Sequence, residues 1–142
     1  MNGLSLLMDN ELFAVDVTLV EKVVRNMTVT SIPAAPAAVI GITNLKGGVV
    51  TLLSLAELLG RSRNPNAAYA VILKSLSSGN DRMGLLIDSP GDLIRIDDNE
   101  ILPPGRITEE YERSFISGLA DSDGNLYRII DIEAILNFYR ET

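Results

Sequence analysis

The chain has 142 residues, 46% of them hydrophobic and 22% charged, a length for one domain or two very small ones. It contains neither histidine nor cysteine, which excludes the usual neutral-pH general base, thiol nucleophiles, disulfides and nearly all zinc, copper, haem and iron–sulfur ligand sets. A net charge of −7 is the wrong sign for duplex binding or a polybasic membrane anchor, so neither a nucleic-acid partner nor direct membrane insertion is expected.

Most apolar residues fall in short runs between glycine, proline, asparagine and aspartate, the pattern of many short strands. The first run, residues 4–8, has no basic segment before it and breaks at Asp9, so neither a signal peptide nor a membrane span is expected, and the cytoplasm is the expected location. A turn at Asp9-Asn10-Glu11 leads to a second strand over 12–17, and the two form a hairpin. Val23-Val24 and residues 29–32 read as further strand pieces, followed by a rigid Pro33-Ala34-Ala35-Pro36 connection. Strands over 41–45 and 49–53 flank Lys46-Gly47-Gly48, a hairpin signal. Ser54 and Glu57 make a capping box and Gly60 a stop, predicting a short helix over 54–59. The polar link 61–66 is the expected boundary between subdomains of about 1–62 and 66–142 within a single domain.

Strands over 69–76 and 83–87 surround a loop at 77–81, with another strand at 93–96 and a turn or extended segment at 102–105. Residues 109–113 are polar and read as exposed. Strands over 115–120 and 126–130 flank a hairpin turn at 121–125, and Asp131 caps a final helix with an apolar stripe of Ile132, Ile135, Leu136 and Tyr139.

The two glycine hairpins align without a gap at an offset of 77 residues, which pairs Gly41 with Gly118, Gly47 with Gly124, Val49 with Leu126, Leu52 with Ile129, Ser54 with Asp131 and Leu59 with Leu136. Upstream, Val23-Val24-Arg25 matches Leu93-Ile94-Arg95 at an offset of 70, and Phe13 then matches Met83. A duplicated unit of about five strands predicts a mainly β fold of two small barrels packed together.

Several motifs fail on spacing. Residues 121–125 resemble a calcium loop, but the glycine and the twelfth-position glutamate of an EF-hand are missing, and Asp-Gly is a favoured hairpin turn. Gly41 and Lys46 do not make a phosphate loop, because Leu45 replaces its second glycine and no Ser or Thr follows the lysine. Asp97, Asp98 and Glu100 read as a solvated acidic loop rather than a glycosidase pair. Lys46, at a hairpin tip among apolar and glycine neighbours, is either a solubilising turn residue or a cation aimed at a partner's carboxylate.

Residues 13–17 and 20–24, the segment Gly41-Ile42-Thr43-Asn44-Leu45-Lys46-Gly47 with the apolar run after it, Asp88-Ser89, residues 101–104 and the 118–136 unit together resemble the CheW-like chemotaxis coupling proteins, in the family's order and over nearly the whole chain. The resemblance implies two five-stranded SH3-like β-barrels, with short capping helices and a hydrophobic groove between the barrels. It implies no enzymatic activity, cofactor or metal. It implies a cytoplasmic adaptor between the tips of methyl-accepting chemoreceptors and the regulatory domain of the histidine kinase CheA, carried to membrane receptor arrays by its partners.

Carried over residue by residue, the resemblance makes Val20, Lys22, Val23, Gly41, Ile42, Asn44, Leu45 and Lys46 the candidate protein-binding positions. Lys22 stands where the family usually has glutamate, Lys46 where it has arginine, Thr51 where it has proline and Ser54 where it has aspartate. Lysine keeps the charge at position 46 but loses arginine's planar fork. Changed interface charges alter specificity and on-rate more than raw affinity. The alternatives are a CheW-like regulatory domain or inhibitor, or an adaptor of another two-component pathway such as pilus motility. A carboxylate hydrolase built on Asp88 and Asp92 is the reading from a different class.

Overall fold

Tight turns at residues that tolerate left-handed backbone set up the strands. The computed structural model describes residues 1–46, 48–74, 82–106 and 110–141. Asp9 and Asn10 take φ of 53° and 62° and join β1 (Asn2–Met8) to β2 (Glu11–Asp16). Asp123 and Gly124, at 51° and 82°, join β9 (Ile116–Ser122) to β10 (Asn125–Ile130). Two consecutive residues at positive φ match the twist of the flanking strands, and asparagine, aspartate and glycine adopt that backbone at least cost. The turn reading of residues 121–125 therefore holds.

The chain forms two units. The first contains residues 1–18 and 90–142, and its sheet runs β8 (Ser89–Arg95), β1, β2, β10, β9. The second contains residues 19–89, and its sheet runs β3 (Val20–Arg25), β6 (Tyr69–Leu73), β7 (Arg82–Ile87), β5 (Gly48–Ser54), β4 (Val39–Leu45). This corrects the division expected near residues 62–66. The N-terminal hairpin joins the C-terminal strands because β2 pairs in parallel with β10, so the polar link 61–66 lies inside the second unit.

The fold is mainly β, as expected, and the described residues form two five-stranded sheets and three short α-helices. The sheets are not closed barrels. Among the described residues β8 and β9 end one sheet, and β3 and β4 end the other. The segment predicted as a strand over 29–32 contributes only a bridge from Thr30 to Ile42, and Leu102 bridges to Leu119 in the same way.

The registers bear out the internal repeat. In the first unit Leu12, Phe13 and Ala14 lie beside Tyr127, Arg128 and Ile129. In the second, Arg82, Met83 and Gly84 lie beside Val50, Thr51 and Leu52. These are the pairs that the offsets of 70 and 77 equate. The bridges at Ile42 and Leu119 also obey the second offset.

Parallel pairing leaves the middle of β2 (Phe13, Ala14, Val15) and of β5 (Val50, Thr51, Leu52, Leu53) buried at successive positions, which is why these strands read as continuous apolar runs. The core of the first unit gathers Ala14, Ile96, Ala120, Tyr127 and Ile129. That of the second gathers Val50, Leu52, Ala70 and Ile72, with Val24, Met27, Val29, Ile40 and Leu45 packed against it.

The predicted caps form. Ser54 Oγ accepts from the Glu57 amide at 3.2 Å and starts α1 (Leu55–Leu58). An Asp131 carboxylate oxygen accepts from the Ala134 amide at 3.0 Å and starts α3 (Ile132–Arg140). The polar segment expected to be exposed instead contains α2 (Glu110–Phe115), and Glu112 is buried. Arg128 explains the burial: its guanidinium lies 3.9 Å from Glu112 and 3.1 Å from Glu11. Phe115 packs edge-on against Phe138 of α3, with ring centres 5.8 Å apart. The loop predicted at 77–81, the end of the strand predicted to residue 76, Gly47 and Glu109 lie outside the described residues.

Candidate partner-binding surface

The β4–β5 hairpin carries five of the eight candidate positions. Asn44 pairs with Val49 and Leu45 with Gly48, so Lys46 stands exposed at the tip. Between Val39 and Gly41 the register shifts by one residue, a bulge that re-aims the strand. Gly41 sits at φ +155°, and a β-carbon there would collide with the carbonyl oxygen of Thr30. The amides of Thr30 and Ile42 each donate to the other's carbonyl at 2.8 Å. The space beside Gly41 is therefore taken by the backbone of Thr30 and Ser31.

This contact brings the 26–30 segment across the hairpin. Thr43 Oγ1 donates to the Thr28 carbonyl at 2.6 Å. The result is a concavity of about 550 Å³ with Ile42, Asn44 and Leu45 on one side and Val24, Arg25 and Thr28 on the other. The structure thus brings three of the candidate positions together with the end of β3. Val20, Lys22 and Val23 lie along β3 but do not line the concavity. On that strand Val20, Lys22 and Val24 are half-buried, while Glu21, Val23 and Arg25 alternate outward. Val23 and Val49 remain exposed apolar residues of the unit. Arg25 stacks 5.1 Å from the centre of the Tyr69 ring.

Arg25, Thr28 and Thr30 were not anticipated. The only local signal for them is Asn26, whose φ of 57° turns the chain after β3, and asparagine is among the few residues at ease there. Thr51 is buried in β5 beside Met83.

Arg82 reaches both carboxylate oxygens of Glu21, at 2.8 and 2.7 Å. These hydrogen bonds hold the Glu21 carboxyl below the usual glutamate range; burial opposes them, and the charges of Arg82 and Lys22 reinforce them. Because folded Glu21 titrates below its unfolded value, the pair's stabilisation is present above the ordinary glutamate range and is lost as pH falls through the lowered value. Replacing Arg82 by methionine should raise the Glu21 titration, read by carboxyl NMR. It should remove about 0.5 kcal/mol or less of neutral-pH stability, the scale of a solvent-exposed pair.

The alternative chemistry finds little geometry. Asp92 lines an acidic concavity of the first unit together with Asp97, Asp98 and Asp121, but Asp88 does not. Asp97 caps a short turn there, accepting from the Asn99 amide at 3.0 Å.

The chain is a mainly β protein of two five-stranded sheets, with a surface concavity of mixed polar and apolar lining beside the β4–β5 hairpin. More specifically, the chain belongs to the CheW-like domain family, whose model matches residues 2–139. It is 27% identical over 124 residues to the chemotaxis protein CheW of Rhizobium meliloti, covering 87% of this chain and 79% of that one. It is also 27% identical to the CheW of Thermotoga maritima, covering 94% and 85%. Its fold matches the crystal structure of the scaffolding protein TtCheW from Thermoanaerobacter tengcongensis with a TM-score of 0.78 at 27% identity, covering 91% and 87%.

Proposed function

We propose that this chain is a non-catalytic adaptor that couples chemoreceptors to the histidine kinase CheA in chemotaxis signalling. The observation that carries the reading is the family match over nearly the whole chain. The scaffolding role named for TtCheW, which shares the fold, supports it. A chain without histidine cannot serve as the phosphorylated histidine protein of a phosphorelay, which fits a role of holding other components in place. Its place is then in the cytoplasm, at receptor arrays. No helix among the described residues is long and apolar enough to cross a membrane.

In this reading the receptor tip docks as a helix in a groove. Ile42 and Leu45 supply apolar contacts beside the 24–28 segment, and Val20 and Val23 extend the surface along β3. Lys46 meets a receptor carboxylate from the hairpin tip, and Lys22 and Asn44 select the partner. The kinase regulatory domain binds elsewhere on the adaptor.

Purified chain should co-sediment with both its receptor fragment and the kinase. Lys46→Glu should weaken the receptor contact about ten-fold, mainly through association rate, and leave the kinase contact intact. Unchanged receptor affinity would remove Lys46 from the interface, and failure to bind either partner would overturn the adaptor reading. The lysines at 22 and 46 favour a second reading, an adaptor of a separate two-component pathway, which binds a kinase and receptor of that pathway in the same pairwise assay.

A further inference from the structure

The chain has no cysteine, so its four methionines carry all of its sulfur. Met8 and Met83 are 2% and 3% exposed, and their thioethers are shielded from oxidants in solvent. Met1 belongs to the first unit and packs against the core there. Met27 is the one methionine of the second unit that reaches the surface. It lines the concavity beside the β4–β5 hairpin, and it also lines a second surface concavity with Val29 and Ile40.

The same side chain supports the interior. It packs against the cluster of Val50, Leu52, Ala70 and Ile72, and so does Leu45, a candidate binding position. The backbone on either side of it is tied down. The Asn26 amide donates to the Ala68 carbonyl at 2.9 Å, and the Thr28 carbonyl accepts from Thr43 Oγ1 at 2.6 Å. The segment cannot carry Met27 outward without breaking one of these bonds. A chemical change at its sulfur is therefore answered by the packing of the side chain.

We propose that Met27 is a reversible oxidation site that controls the wall of the concavity beside the β4–β5 hairpin. The oxidant is a peroxide. A sulfur lone pair attacks one oxygen of hydrogen peroxide, the S–O bond forms as the O–O bond breaks, and the second oxygen leaves as water with the proton of the first. The sulfur gives up two electrons and the peroxide takes them. The sulfoxide is polar, and the aliphatic side chains beneath it offer no hydrogen bond. Methionine is unbranched and flexible, so the oxidised side chain turns to solvent and uncovers the cluster that it shares with Leu45. Methionine sulfoxide reductases reverse the step. The effect on partner binding rests on the adaptor reading: receptor affinity falls as Met27 oxidises.

The native chain treated with hydrogen peroxide, then digested and mapped by mass spectrometry, should show Met27 oxidised about ten-fold faster than Met8 and Met83, because reactivity follows exposure. Methyl NMR of the oxidised chain should show shifts at Leu45, Val50 and Leu52, and methionine sulfoxide reductases of both epimer specificities should restore the original spectrum. Met27→Leu keeps a similar volume without the sulfur, and its methyl spectrum around Leu45 should not respond to peroxide even though Met1 still oxidises. Affinity for the receptor fragment should fall roughly three- to ten-fold on oxidation of the native chain and stay constant in Met27→Leu. Oxidation of Met27 no faster than that of the buried methionines, an unmoved methyl spectrum once Met27 is oxidised, the same shifts in Met27→Leu, or a receptor affinity indifferent to oxidation would overturn the proposal. A native chain that binds no receptor fragment before peroxide is added would overturn the adaptor reading instead, and the mass and methyl measurements would still decide whether Met27 controls the wall.

Discussion

Gly41→Val should destabilise the protein by about 3–5 kcal/mol, the largest loss expected from a single substitution in the second unit. Two effects combine. The residue holds φ at +155°, where β-branched side chains are strained, and the new β-carbon meets backbone rather than a movable side chain. The carbonyl carbon of Thr30 would lie at 2.8 Å and the Ser31 α-carbon at 3.0 Å. Relief requires pushing the 30–31 segment away, which breaks both 2.8 Å hydrogen bonds between Thr30 and Ile42. Chemical denaturation gives the magnitude, and faster amide exchange at Thr30 and Ile42 identifies the cause. The equivalent residue of the other unit provides the comparison. A β-carbon on Gly118 would meet a methyl of Ile101 at 2.5 Å and the Leu102 carbonyl oxygen at 3.0 Å, without the positive φ. Without the strained backbone, the same substitution there, Gly118→Val, should cost only about 1–3 kcal/mol. Equal losses at the two glycines would show that backbone strain at Gly41 contributes little.

The second large effect belongs to Phe13. It is fully buried in β2, paired with Leu6 of β1 on one side and Arg128 of β10 on the other. Phe13→Ala should cost about 3–5 kcal/mol, the transfer free energy of the ring plus that of the cavity it leaves. The ring also lies 5.9 Å from the Arg128 guanidinium, which in turn holds Glu11 and Glu112. Phe13→Leu should therefore recover most of the packing but not the cation–ring contact, and a residual loss of about 0.5–1 kcal/mol measures that contact. Amide exchange should accelerate first in β2 and β10. A Phe13→Ala loss below about 1 kcal/mol would mean that the neighbouring strands close over the cavity.

Features with local chemistry were legible in the sequence. Asp9-Asn10 and Asp123-Gly124 state their turn type directly, and Ser54 and Asp131 state the helix starts. The repeat was legible too, because equivalent strands meet the same neighbours and keep the same pattern. Parallel pairing was not: nothing near Phe13 indicates that its neighbour is Arg128, more than a hundred residues away. The misplaced subdomain boundary follows from that. Glu112 reads as exposed because a buried carboxylate is legible only through its partner, and Arg128 comes to it from a different element, β10. Of the residues that line the concavity, Ile42, Asn44 and Leu45 are among the candidates read from the sequence, while the opposite wall depends on how the chain reverses at Asn26.

The parallel pairs also set an order of completion during synthesis. The second unit is one continuous stretch, so all its strands exist once Ser89 has left the ribosome. The first unit is split. Its β1–β2 hairpin emerges before the second unit and then waits, with one side of β2 unpaired, until β10 is made. During that interval the apolar centre of β2, Phe13, Ala14 and Val15, is an open strand edge, the kind of surface that pairs with whatever is near. The nascent chain is therefore most exposed to misassembly and most in need of a chaperone between the emergence of residue 16 and that of residue 130, and a ribosome-stalled chain lacking β10 should be the form a chaperone captures.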